Sequence, residues 1–241
     1  MSGAAARVVS LVPSVTETLL GLGVGPVACT RFCEQPGIAT VGGTKNPDVA
    51  AIVAMRPDLV VVNDEENRRE DADALVAAGV RIHSMSPRTL VDVGPAVRDL
   101  AELVGVDVPA PFAADQWRAW CAARLDAERP RRRGAVFVWR RPWMTMNGDT
   151  YGSSLLAALA VDNVFAAELE RYPETTLAEG ARREPDLVLL PTEPYAFGPR
   201  HVSEVAAVFG ADVRVVDGRD LFWWGIRTPE AFGRLREALS G

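Results

Sequence analysis

Two kinds of apolar pattern alternate along this chain. Short strand-like runs lie near residues 7–12, 58–62, 80–84, 135–139, 186–190 and 212–216, unbroken and apolar at 59–62, 135–139 and 187–190, with a weaker one at 27–30. A short apolar run bounded by turn residues reads as a strand buried on both faces, the situation of strands in parallel sheets. Between the runs, apolar residues recur every three or four positions, the period of an amphipathic helix. Such stretches cover roughly 67–78, 89–104, 150–160, 176–183 and 199–209, with another after Thr228-Pro229-Glu230. Ser14-Val15-Thr16-Glu17 predicts a capping box opening the first helix, and Asn46-Pro47 predicts a cap and first residue for the second. Asp149 or Thr150 and the Thr176…Glu179 pair offer further caps, while Gly79 and Gly105 stop helices. Strand–helix alternation of this kind predicts doubly wound parallel sheets with right-handed crossovers.

One phrase occurs twice. Arg56-Pro57-Asp58-Leu59-Val60-Val61-Val62 ends in the polar loop Asn63-Asp64-Glu65-Glu66-Asn67. Glu184-Pro185-Asp186-Leu187-Val188-Leu189-Leu190 leads to Thr192-Glu193-Pro194-Tyr195. Two copies, one per half, predict two similar lobes. Open parallel sheets take ligands at the carboxyl ends of their strands, so these loops are expected to face one another across a cleft. Residues 106–134 break the rhythm. Phe112–Arg129 reads as one helix with Ala113, Trp117, Trp120, Cys121, Arg124 and Leu125 on one broad face. At about 1.5 Å per residue it would span about 27 Å. Pro130 and the basic run Arg131-Arg132-Arg133 are read as its solvated end. The expected class is α/β, two doubly wound lobes with parallel sheets joined by a single long interlobe helix. The boundaries are 1–107 for the N-terminal lobe, 108–130 for the bridging helix and 131–241 for the C-terminal lobe.

The net charge of −6, with no basic stripe, argues against a nucleic-acid surface. No apolar stretch is long enough to cross a bilayer, so membrane insertion is not expected. Met1–Ala6 is too short for a signal peptide, and Leu19–Cys29 only imitates a lipoprotein cleavage region. The chain as written is expected in the cytoplasm, or in the periplasm or at the cell surface if it was trimmed. Cys29 and Cys33 stand four apart, but no second Cys or His pair completes a tetrahedral metal set, so they read as buried thiols. Gly21-Leu22-Gly23-Val24-Gly25 falls at a helix end and fails as a dinucleotide fingerprint; no Walker loop and no Gly-x-Ser-x-Gly elbow occurs. Catalytic residues are therefore not assigned. Arginine so dominates the cations that the chain holds one lysine, Lys45. Either chance placed it there, or the Gly43–Asp48 loop needs a compact point charge rather than a planar fork.

Three segments carry a resemblance: Val8–Glu17, Val41-Gly42-Gly43 with Asn46-Pro47-Asp48, and the Arg-Pro-Asp-Leu-Val strand. The chain resembles the solute-binding proteins of vitamin B12 and ferric-siderophore ABC transporters from residue 7 to its end. Within that group it is most similar to a branch described as helical-backbone metal receptors or cobalamin-binding-like proteins. The matching residues there are Arg31-Phe32-Cys33, Glu65-Glu66-Asn67-Arg68, Trp139-Arg140-Arg141-Pro142, Gly148-Asp149-Thr150, Glu170–Glu174 and Glu193-Pro194-Tyr195. The resemblance implies a binding protein, not an enzyme, with no cofactor required and a corrinoid or ferric chelate as bound ligand. It also implies an ABC permease as partner. Where the family presents one docking glutamate per lobe, this chain has Arg69 flanked by Glu66 and Glu70, and Ala178 beside Glu179.

Candidate ligand contacts are Lys45, Asn46, Glu65, Glu66, Asn67, Arg140, Asp149, Tyr195, Trp223, Trp224 and Arg227. Aromatic walls with polar tips suit flat amphipathic ligands. The acids and Asn67 also read as helix caps, the arginines as holders of loop acids, and Trp139 as core. Two other functional readings stay open: a cytoplasmic chelatase-like or corrinoid-handling enzyme, and a ligand-sensing subunit. An enzyme would turn its ligand over, whereas a binder saturates and leaves it unchanged.

Overall fold

The computed structural model describes residues 6–125 and 130–240. Their contacts form two compact units. Unit one comprises residues up to Pro87, Val93–Trp117 and Trp224–Arg227; unit two comprises Arg88–Asp92, Arg118–Trp223 and Thr228 onward.

In chain order the first half runs β1 (Val8–Ser10), α1 (Pro13–Gly21), β2 (Ala28–Cys29), β3 (Ala39–Thr40), β4 (Gly42–Gly43), β5 (Asn46–Pro47) and α2 (Val49–Ala54). It continues with β6 (Leu59–Val62), α3 (Arg69–Ala77), β7 (Ile82–Ser84) and α4 (Leu90–Val104). Unit one is built on a five-stranded parallel sheet of order β3-β2-β1-β6-β7. All four residues of β6 are buried, so both faces of the sheet are covered, as its unbroken apolar run predicts. Val9, Leu11, Ile52, Val60, Val62 and Leu75 form its main apolar cluster.

After a 3₁₀ turn at Ala110–Phe112 comes α5 (Ala114–Leu125). The expected helix over 112–129 thus starts later, and its last four residues lie outside the described ones. Within unit one the Trp117 indole stacks on Phe112 and lies against Gly94, where no side chain would fit. Cys121 is also buried, whereas Leu125 is exposed.

The second half runs β8 (Arg132–Val136), β9 (Trp143–Met144), α6 (Tyr151–Ala158), β10 (Val161–Asn163), β11 (Glu174–Thr175) and α7 (Leu177–Arg182). Then come β12 (Leu187–Pro191), α8 (Pro199–Ala206), β13 (Asp212–Val216), α9 (Gly218–Phe222) and α10 (Thr228–Leu239). Unit two has a parallel sheet of order β10-β8-β12-β13 around Phe137, Phe165, Val188, Leu190, Phe197 and Phe209. Both units are α/β with parallel sheets, as the alternation predicts.

The repeated phrase is a repeated piece of geometry. In unit one Asp58 accepts the Arg7 N–H at 2.8 Å and returns its own N–H to the Arg7 carbonyl at 2.8 Å. In unit two Asp186 and Arg133 exchange the same two bonds, both at 2.8 Å. The arginine of each pair also donates Nη2 to the carbonyl that ends the preceding helix, Met55 at 2.8 Å and Arg183 at 2.6 Å. Arg56 and Glu184, just before the prolines, both have left-handed φ, +48° and +50°. The pairing that follows matches as well: Val8 faces Leu59, and Gly134 faces Leu187. The Pro-Asp turn is therefore a register clamp at the start of the central strand pair, and its duplication gives β2-β1-β6-β7 and β10-β8-β12-β13 one topology.

Three local expectations are corrected. Pro13, with φ already suited to a helix, takes the first helical position, so Val12 is the cap and the Ser14 capping box does not form. The Asn46-Pro47 helix start is also not used. Gly42, at φ +88°, lets the chain fold back so that Gly42 pairs with Pro47 and Gly43 with Asn46; Asp48 then caps α2 by accepting the Ala51 N–H at 2.9 Å. The basic run is not a helix end. Arg132 and Arg133 open β8, because groups on adjacent segments take up the run: Arg131 meets Asp162 at 2.6 Å, Arg132 meets Asp212 at 3.1 Å, and the Arg133 guanidinium donates to the carbonyls of Arg183 and Glu184.

Candidate functional site

In unit one the loop after β6 is knotted before any ligand arrives. Asn63 is buried, and its Oδ1 accepts the N–H groups of Glu65 at 2.8 Å and Glu66 at 3.0 Å, an Asx turn. Its Nδ2 donates to the Met85 carbonyl at 3.0 Å, fastening the loop to the end of β7. Asn67 is buried too. Its Oδ1 accepts the Asn63 N–H at 2.8 Å, and its Nδ2 donates to the carbonyls of Leu11 at 3.2 Å and Thr44 at 3.0 Å. Both amide hydrogens are thus committed to the scaffold, which makes Asn67 a positioning residue. Glu66 is exposed and Glu65 half-buried; the Glu65 carbonyl receives the ammonium of Lys45. Lys45 and Asn46 are exposed on the β4–β5 hairpin.

Beneath this surface Ser10, Thr16, Thr30 and Cys33 form a buried hydroxyl–thiol chain, with Thr16 Oγ1 2.8 Å from Ser10 Oγ and 3.1 Å from Cys33 Sγ. Burial, reinforced by Cys33, pushes the Cys29 thiol up to about 12. Among the described residues no group of three or more His, Cys, Asp and Glu side chains could hold a metal. An open hollow of about 490 Å³ lies against β7 and α4, lined by Arg81, His83, Asp99, Glu102 and Leu103. Burial lowers the pKa of His83, opposed by Asp99.

Unit two presents aromatics at the carboxyl ends of β8 and β12. Trp139, 41% exposed, meets Tyr195 edge-on with centroids 5.6 Å apart; Tyr195 packs on Phe197 at 4.6 Å and against His201 at 5.6 Å. Phe197 in turn stacks on Trp143 at 5.9 Å. Arg140 stands beside this wall, held by both Glu204 carboxylate oxygens at 2.9 and 2.8 Å and 5.8 Å from the Trp143 centroid. Those bonds, with Tyr195, keep its pKa above the ordinary value. His201, buried, caps α8 by accepting the Gly198 N–H at its Nδ1. Asp149 lies between Arg88 at 3.1 Å and Arg171 at 3.2 Å, next to the Thr150 cap of α6. Arg219 pairs with Glu193 at 2.9 Å and lies over the Trp223 ring at 4.9 Å.

The tryptophan pair is split between the units. Trp223 is half-buried in unit two, whereas Trp224, 7% exposed, clusters with unit one. There Gly225 sits at φ +114° tight against Thr18, and Arg227 pairs with Glu17 at 2.7 Å. Of the expected contacts, the structure gathers Lys45, Asn46, Glu65, Glu66 and Asn67 in unit one. It gathers Arg140 and Tyr195 at one corner of unit two, with Asp149 and Trp223 on neighbouring loops. The aromatic wall also includes Trp139, Trp143 and Phe197, and Phe32 in unit one is 49% exposed. Phe32 carries no sequence signal beyond its place in the family-like Arg31-Phe32-Cys33 triplet.

Two α/β units with loops of this kind at the strand ends define a class, and comparison with known proteins names it. Residues 8–202 match the model of the periplasmic binding protein family, and the chain belongs to that family. It is 26% identical over 195 residues to the vitamin B12-binding protein of Yersinia pestis (strain Pestoides F), covering 78% of this chain and 70% of that protein. Its fold is that of the periplasmic vitamin B12 binding protein BtuF of Vibrio cholerae, with a TM-score of 0.83, 19% identity and coverage of 98% and 96% of the two chains. The periplasmic heme-binding protein HutB of Vibrio cholerae shares it at a TM-score of 0.80, 18% identity and coverage of 99% and 100%.

Proposed function

We propose that this chain is a solute-binding protein that holds a corrinoid or related metal chelate on the carboxyl-end loops of its sheets and hands it, unchanged, to an ABC-type permease. Membership of the periplasmic binding protein family over residues 8–202 carries the reading. The vitamin B12-binding relative, similar over 195 residues, supports the ligand class. Family and relatives bear the names of binding proteins, which favours binding without turnover. The polar loops are tied down before ligand arrives, so little ordering entropy is lost on binding. Contacts come from Lys45, Asn46, Glu65 and Glu66 in unit one and from Tyr195, Trp223 and Arg140 in unit two. Asn67, Asp149, Trp224 and Arg227 set the loops that carry them.

The test is a visible-absorbance and calorimetric titration of denatured and refolded protein with cyanocobalamin, dicyanocobinamide and a ferric hydroxamate. Saturation near one equivalent with recovery of unaltered ligand is expected for at least one of them. Turnover of the ligand, or silence with all three, would overturn the proposal.

A further inference from the structure

Beside the expected contacts, unit one carries a cationic aromatic platform. The 3₁₀ turn Arg31–Cys33 follows β2 at its carboxyl end and leaves Phe32 49% exposed. The Arg31 guanidinium lies over that ring, its Cζ 4.8 Å from the centroid. Both groups pack on the β4–β5 hairpin at Gly43. A Cβ there would stand 3.2 Å from Phe32 Cε2, 3.3 Å from Arg31 Nη2 and 2.6 Å from Asn46 Oδ1. Two residues further on, Lys45 is exposed, its ammonium donating to the Glu65 carbonyl. That carbonyl is itself fixed by the Asx turn of Asn63. Ring, fork and ammonium are therefore set by one hairpin and one knotted loop.

Their charge is not cancelled. Among the described residues no carboxylate forms an ion pair with Arg31 or Lys45; Arg31 lies over the Phe32 ring and against Gly43, and Lys45 meets a backbone carbonyl. The arginines on the loops of unit two differ: Arg140 has Glu204, Arg171 has Asp149 and Arg219 has Glu193. A large exposed ring with one uncancelled cation over it and a second on the hairpin it packs against matches a flat ligand face bearing an anionic oxygen group. Charge-assisted bonds from a planar fork and from a point charge would both reach such a group.

We infer that Arg31 and Lys45 grip an anionic oxygen group, a phosphate or a carboxylate, carried by a flat ligand whose face stacks on Phe32. The inference deepens the solute-binding reading and depends on it. It assigns Arg31 and Phe32 to ligand recognition, and it states which chemical feature of the ligand unit one selects.

Two probe pairs test it on the intact chain by calorimetry. Cyanocobalamin carries a phosphodiester that dicyanocobinamide lacks; haemin carries two carboxylates that its dimethyl ester masks. In the pair that binds, the anionic member is expected to bind about tenfold tighter or more, by an amount that shrinks at high salt. Arg31→Gln and Lys45→Gln should each weaken the anionic member far more than the uncharged one and so remove most of that preference. Phe32→Ala should weaken both members. Circular dichroism checks that these exposed substitutions leave the fold intact. Equal binding within a pair, or Gln variants that keep the full preference, would overturn the platform and leave the solute-binding reading standing. Failure of all four probes to bind would overturn the platform, and silence with the ferric hydroxamate as well would overturn the solute-binding reading. The pair that responds separates phosphate from carboxylate.

Discussion

Replacing Asn67 should cost far more than its place in a polar loop suggests. The side chain joins three segments: it accepts the Asn63 N–H at 2.8 Å and donates to Leu11 at 3.2 Å and Thr44 at 3.0 Å. All four residues are buried, with exposures of 9% or less. Each buried backbone group stripped of its partner costs about 1–3 kcal/mol. With some water entering the space left by Asn67→Ala, the total is about 3 kcal/mol. At an m-value of roughly 1.5–2 kcal/mol/M, the urea midpoint should fall by about 1.5–2 M. Asn67→Asp is the sharper case. It keeps the size and the acceptor for Asn63 but turns a carboxylate oxygen toward two carbonyl oxygens, so it should be at least as destabilising at neutral pH. Its deficit should narrow as the pH falls, because protonation restores one donor. Urea unfolding followed by circular dichroism, with hydrogen exchange at Asn63, measures both variants. If Asn67→Asp matches the parent at pH 7, or Asn67→Ala costs less than about 0.5 kcal/mol, the loop is not held by this side chain.

The carboxyl of Asp212 is held below its ordinary 3.8, chiefly by the Arg214 hydrogen bond and also by Arg132. A depressed folded value means stability that is present above pH 3.8 and lost as the pH falls through the lowered value, so Asp212→Asn should flatten acid unfolding below that point. Asp212 is 37% exposed, which limits the effect to less than about 1 kcal/mol, and an unchanged acid limb would count against it. Burial raises the Cys29 thiol to about 12 and the Cys121 thiol to about 11, and Cys33 is buried as well. A colorimetric thiol assay at pH 8 should therefore label native protein slowly and all three cysteines at once in denaturant; rapid stoichiometric labelling of native protein would contradict that packing.

Much of the fold was legible in the chain because burial on both faces leaves an unbroken apolar run. Strand β12, Leu187–Pro191, falls where the run at 186–190 predicts and all its residues are buried, and Thr176 caps α7 as the Thr176…Glu179 spacing predicts. The misreadings share one cause. Ser14-Val15-Thr16-Glu17 and Asn46-Pro47 are valid local signals, yet Pro13 and the Gly42–Pro47 pairing each moved the cap by two residues, to Val12 and to Asp48. Arg131-Arg132-Arg133 looked like a solvated end because its carboxylate partners Asp162 and Asp212 lie 31 and 80 residues further along, and Asp186, which takes the Arg133 N–H, lies 53. The short pair β9–β11 and strand β10 gave no run long enough to notice.

Among the candidate contacts, the sequence placed the Glu65–Asn67 loop and Tyr195 at strand ends, because the doubled Arg/Glu-Pro-Asp phrase announces where each central strand stops. What each polar side chain does there was beyond it. Asn67 and Glu66 are neighbours in one acidic loop, yet one is buried in the scaffold and the other is exposed, and Arg140 is matched to Glu204 while Arg31 is not matched to any carboxylate among the described residues. Apolar period and turn chemistry are properties of adjacent residues, so the chain alone determined its elements and its twofold plan. Hydrogen-bond partnership and charge cancellation depend on residues brought close from far along the chain, and only the tertiary structure decided those.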